Sequence, residues 1–164
     1  MPHDGQDMPM QDSALLAGLL DLTRAAIAPV DAVLERAVDT VRATVSENGK
    51  VSAALIERHQ TAAHGLAWLA TYAQALRQMQ TWAEKLAAEG RFGETEQLLH
   101  QIAFGEYLNQ IAGGIQMNQG EVLRLQDLGL SEVDISALST QEVRHLCRAA
   151  NTQDARSQLV RQMH

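Results

Sequence analysis

The chain has 164 residues, enough for one domain whose core needs neither disulfides nor metals. It is 46% hydrophobic but only 4% aromatic, and its 3 prolines stand at positions 2, 9 and 29, so from residue 30 onward nothing forbids long helices. A formal charge of -7 without a stripe of Lys and Arg argues against a nucleic-acid surface, which needs clustered cations to meet phosphates.

Residues 1–11 lack any hydrophobic period and read as a disordered tail. They contain no basic segment of the kind that opens a signal peptide, and the Leu15–Leu22 cluster is too short to span a bilayer. With one cysteine, Cys147, and hence no internal disulfide, the chain is expected in the cytoplasm. Asp12 and Ser13 are suitable N-caps for a first helix ending near Ile27, and Pro29 suits the start of a second. Val30, Val33, Leu34, Ala37, Val38, Val41 and Val45 then mark one apolar stripe, and Ser46–Lys50 stops it. A third helix is predicted from Val51 to Glu89, with Gly90 closing it, as the longest and central element. It carries two stripes, one from Leu55 to Ala83 and one holding Gly65, Trp68, Tyr72, Met79, Trp82 and Leu86.

A fourth helix is predicted over Glu94–Ile115, with Leu98, Leu99, Ile102, Leu108, Ile111 and Ile115 inward. Its Gly105, Gly113 and Gly114 imply close backbone approach or, at the pair, a helix end. A short helix near Glu121–Leu128 stops at Gly129, Ser139 and Glu142 form a capping box, and Thr152 caps the last helix. The fold class is therefore all-α, an antiparallel up-and-down bundle over residues 12–129. A small C-terminal helical appendage, 130–164, would follow and lead into a catalytic region.

Catalytic constellations are missing from this pattern. Among six histidines only one Glu-x-x-His occurs, Glu142 to His145, where carboxylate-bridged metal bundles use two, so no metal is expected. Glu96 and His100, four apart, suit a surface pair. Arg and His beside Cys147 suit a lowered thiol pKa, although a half-buried helical cysteine is the simpler reading. His64, Trp68 and Tyr72 share a helix face and form a candidate ligand pocket with Gln110; at this spacing aromatic residues more often pack than bind a flat ring. Met79, Trp82 and Leu86 are candidates for an interface, since exposed tryptophan favours contact with a partner.

Three stretches carry a resemblance: Ala63–Tyr72, Ala75–Met79 and the run from Gln101 to Leu130. They resemble the extra N-terminal helical region preceding the catalytic part of methylsuccinyl-CoA dehydrogenase-like members of the acyl-CoA dehydrogenase family. The likeness covers roughly residues 55 to 130. In that family FAD takes a hydride from the β-carbon of an acyl-CoA while a glutamate removes the α-proton. The strand-rich flavin domain and the glutamate-bearing segment have no counterpart here. Gln110-x-x-Gly113-Gly114 is similar to the Gln-x-x-Gly-Gly segment that meets the flavin's ADP part in the family, which makes these three the candidate cofactor residues. The resemblance implies a non-catalytic accessory domain of an FAD-dependent enzyme, with the remainder of that enzyme or a second copy as partner. A stand-alone homodimeric module and a small-ligand-binding bundle are the alternatives.

Overall fold

The computed structural model, which describes residues 13–163, has one helix where the sequence predicts two. Helix α1 runs over Leu19–Thr44 with Pro29 inside it. A helix-interior proline removes one hydrogen bond and costs about 3 kcal/mol. Here the carbonyl it frees belongs to Ala25, an exposed residue within reach of water. Burial of Ala26, Val30, Val33, Ala37 and Val41 along one continuous stripe outweighs that cost. Asp12 lies outside the described residues. Ser13 does not cap α1: its hydroxyl accepts from the Leu15 N–H, and the N-cap is Gly18 in the left-handed region, φ 65°.

The expected stop at Ser46–Lys50 is a tight hairpin, β1 (Ser46–Glu47) against β2 (Lys50–Val51). Asn48 and Gly49 both take positive φ, as a two-residue hairpin turn requires. Val51 is thus in a strand, and the single long helix predicted from it divides in two. Helix α2 (Ala53–Arg58) is capped by Ser52, and the chain breaks at His59 before α3 (Gln60–Ala88) begins. At 29 residues α3 is the longest helix, about 43 Å. It ends as Gly90 predicts: the Arg91 N–H reaches the Leu86 carbonyl and the Gly90 N–H that of Ala87.

Helix α4 (Glu94–Gly113) follows, then hairpin β3 (Ile115–Gln116) with β4 (Val122–Leu123). Gly114, φ 140°, marks the helix end. The predicted Glu121–Leu128 helix is instead strand β4 plus one 3-10 turn, Leu125–Leu128, closed by Gly129 at φ 78°. Leu99 is 45% exposed, contrary to expectation, because Leu98, Gln101, Phe104, Gly105 and Leu108 set the buried face of α4 elsewhere.

Three short helices close the chain: α5 (Glu132–Ser136), α6 (Gln141–Ala149) and α7 (Gln153–Gln162). Thr140, not Ser139, caps α6, since the Ser139 N–H still bonds to Ser136 in the turn leaving α5. The capping box belongs to Ser131 and Asp134 at α5, while Thr152 caps α7 as expected.

Helices α3 and α4 form an antiparallel pair with α1 against them, and α4 also packs on α6 and α7. The helix with neighbours on most sides is therefore α4 rather than the longest one. Leu138, Val143, Leu146 and Ala150 join the same core as Val33, Leu69, Phe104 and Ile111. The molecule is all-α apart from the two small hairpins.

Candidate functional site

Four polar residues are buried in the described core: Thr23, Gln80, His100 and Gln101. Gln80 stands in the apolar stripe of α3 between Leu76 and Ala83, a polar residue at a core position. Thr23 of α1 donates to Gln80 Oε1 at 2.6 Å. The Gln80 amide in turn donates to the Leu20 carbonyl and to Glu84. Because the Thr23 proton goes to Gln80, His100 Nε2, 3.0 Å away, is the donor to Thr23 Oγ1. That tautomer leaves His100 Nδ1 as an acceptor, buried and without a partner, with the ring between Phe92 and Phe104. Burial holds the imidazole neutral, its pKa lowered to about 4. His100 therefore binds α4 to α1 and makes no hydrogen bond to Glu96, contrary to the predicted surface pair.

Gln101 performs a comparable task for the segment before α1. Its Oε1 accepts from the Leu16 N–H at 2.8 Å, and its amide donates to the carbonyls of Ala14 and Ala150. Nearby, the Ala14 N–H donates to Gln158 of α7.

The candidate pocket residues do come together, along the outer side of α3 and α4. Trp68 donates its indole N–H to His64 Nε2 at 3.0 Å. The Tyr72 ring packs on Tyr107 with centroids 4.6 Å apart, and its hydroxyl donates to Gln110 Oε1 at 2.5 Å. Gln110 donates to Glu106, which also accepts from Asn151. The chain of bonds from Tyr72 through Gln110 and Glu106 to Asn151 ties α3 to α4 and to the α6–α7 junction. A shallow depression beside it is lined by Ile56, Gln60, Ala63, His64, Met117 and Glu121.

Gln110, Gly113 and Gly114 stand at the C-terminal end of α4. The Gln110 carboxamide is engaged at both ends, and Val122 fills the space against Gly114, where an added Cβ would lie 2.5 Å from its methyl. Gly113 opens onto nothing within 4 Å. The close approach that the glycines predict is made at Gly105, whose added Cβ would stand 2.8 Å from Ala150 Cβ. Cys147 is half-buried, and burial pushes its thiol up, away from reactivity. Among the described residues, no three of His, Cys, Asp and Glu gather as a metal site, and no helix is long and apolar enough to cross a membrane.

Of the predicted interface residues, Trp82 is 41% exposed and leans edge-on against Phe92, while Met79 and Leu86 are half-buried. The sequence pattern missed the buried polar residues; Gln80 was detectable as a carboxamide inside an apolar stripe, Thr23 and His100 only through each other.

Fold and site together define a helical bundle whose polar side chains link its helices to one another. The chain is 48% identical over 151 residues to (2S)-methylsuccinyl-CoA dehydrogenase of Cereibacter sphaeroides. The match takes in 92% of this chain and 27% of that protein, so the chain spans about a quarter of the length of the relative. No protein-family model matches it. The resemblance read from residues 55 to 130 is real, and it extends over nearly the whole chain rather than that stretch alone.

Proposed function

We propose that the chain is a non-catalytic accessory helical domain of an FAD-dependent, methylsuccinyl-CoA dehydrogenase-like acyl-CoA dehydrogenase, preceding the catalytic part. Its role there is packing: shaping the enzyme's surface, its oligomer or access of substrate. The match carries this reading: 92% of the chain aligns with only 27% of a dehydrogenase. A helical unit with its own core, whose buried polar side chains link its helices to one another, suits a packing role better than a catalytic one. FAD belongs, on this reading, to the rest of the enzyme, and Trp82, Met79 and Leu86 to the surface that meets it. A cytoplasmic setting agrees with a single half-buried cysteine.

The test is a graft. This chain replaces the matching segment of the Cereibacter enzyme, and flavin content and dehydrogenase turnover are measured. Retention of both, alongside loss on deleting the segment, is the expected result. A folded, flavin-loaded graft without turnover would refute the reading.

A further inference from the structure

The chain holds four asparagines, Asn48, Asn109, Asn118 and Asn151. The last three have their carboxamides committed. Asn109 in α4 donates to the carbonyls of Gly105 and Cys147. Asn118 donates to Glu121 and accepts from the Gly120 N–H. Asn151 donates to Glu106 and accepts from Arg156. Asn48 differs on every count. It is exposed at the tip of the first hairpin, and of the four it alone is followed by glycine. Among the described residues, neither its carboxamide nor the Gly49 N–H has a hydrogen-bond partner.

The chemistry open to such a pair is intramolecular. Once hydroxide removes its proton, the Gly49 nitrogen can attack the Asn48 Cγ. An N–Cγ bond forms, the Cγ–Nδ2 bond breaks and ammonia leaves, closing a cyclic succinimide. Water then opens the ring at either carbonyl, giving aspartate or isoaspartate with no change of oxidation state. A side chain on the following residue would crowd the attack; Gly49 has none, and the space where a Cβ would stand is empty. Closing the ring requires the Asn48 backbone to rotate out of its left-handed hairpin conformation, φ 51°. Little opposes that rotation. The hairpin consists of two residue pairs, its strand residues are exposed apart from half-buried Ser46, and helix α2 beyond it has no buried residue. A ribbon so short and so lightly packed opens locally without the bundle unfolding.

We propose that Asn48 is a site of spontaneous deamidation through a succinimide, and that the isoaspartate product unlatches the first hairpin. Isoaspartate carries the main chain through its β-carbon, which adds a methylene to a turn whose type is fixed by its length. The pairing of Glu47 with Lys50 is then lost, and with it the brace between the end of α1 and the start of α2. Replacement of an amide by a carboxylate also sets a new negative charge beside Glu47.

The test is ageing of the whole chain. The protein is incubated at neutral and at mildly alkaline pH, and peptide maps are followed by mass spectrometry. Asn48 is expected to gain progressively the mass difference between amide and acid, faster at the higher pH, while Asn109, Asn118 and Asn151 stay intact. Aspartate and isoaspartate should both appear, distinguished by a protease that cuts before aspartate only. Amide exchange at Lys50, which closes the turn, should be faster in the aged protein than in the fresh one. Asn48→Gly keeps a residue that accepts positive φ and lacks the reacting amide, so its Lys50 exchange should be unchanged by ageing. Asn48 persisting as long as any of the other three would overturn the site, and a product free of isoaspartate would overturn the succinimide route. Lys50 exchange as slow in the isoaspartate form as in fresh protein would overturn the unlatching.

Discussion

His100 is a histidine that the fold uses only in its neutral form. Its Nε2–H is spent on Thr23, its Nδ1 has no partner, and Phe92 and Phe104 flank the ring. The folded pKa, about 4, lies below the ordinary 6.5, so on acidification the unfolded chain takes up the proton first. The stabilisation is therefore complete above pH 6.5 and declines as the pH falls from 6.5 towards 4, by about 3 kcal/mol in all. Urea unfolding at pH 7 and pH 4 should show this loss for the wild type and not for His100→Leu. Glu84, held below its ordinary range first by the Gln80 amide and then by Arg24, also interacts with His100, so the difference between the two proteins reports the pair. The glycines of α4 offer a second contrast. Gly113→Ala meets nothing within 4 Å and should stabilise by about 0.5 kcal/mol through helix propensity. Gly105→Ala drives a Cβ to 2.8 Å from Ala150 Cβ and 3.1 Å from the Asn151 backbone nitrogen. It should destabilise by about 1–2 kcal/mol even after the propensity gain. Thermal melts of the two variants should move in opposite directions.

At the level of the element, the cap decides where a helix begins. Thr140 accepts from the Val143 N–H, so Thr140→Ala should cost about 1 kcal/mol and loosen the first turn of α6. Ser139→Ala should leave stability within about 0.5 kcal/mol, since that side chain caps nothing. Amide exchange at Val143 separates the two. The same pair shows how far the sequence can be read. Ser139 and Thr140 are both good caps, and only the turn leaving α5, in which Ser139 is still bonded, distinguishes them. Pro29 presents the same ambiguity: it suits a helix start as well as a tolerated interior position, and the exposure of Ala25 decides for the second. The hairpins are two residues per strand, too short for an alternation to register, though Asn48-Gly49 carries the turn signal. The long apolar stripes were legible because each repeats over several turns, and they correctly mark the buried faces of α1 and α3. Of the candidate site, the His64–Trp68 contact was legible from its spacing of four. The Tyr72–Gln110 bond joins two helices, and no local period can announce it.

Among the described residues, His100 Nδ1 is the one buried side-chain polar atom without a partner, and the exposed large apolar side chains are scattered, with Val51, Val133 and Val160 more exposed than Trp82 and Leu99. On the accessory reading, the isolated chain supplied with FAD should not oxidise acyl-CoA esters above a protein-free control, because that reading assigns the flavin and the base to the rest of the enzyme. Turnover would show a catalytic site that the geometry of Gln110, Gly113 and Gly114 does not suggest.

The Gln101 anchor has a kinetic consequence. One carboxamide joins Ala14 and Leu16 to α4 and to Ala150, and Ala14 also meets Gln158, 144 residues away in sequence. These four bonds are in place together only once α4, α6 and α7 have docked, since they join Gln101, Ala150 and Gln158. The leading segment is therefore the last part to be captured during refolding and the first to be released. Helical signal should return before the amides of Leu16 gain protection from exchange. Gln101→Leu should remove that late phase while leaving the earlier one at its wild-type rate.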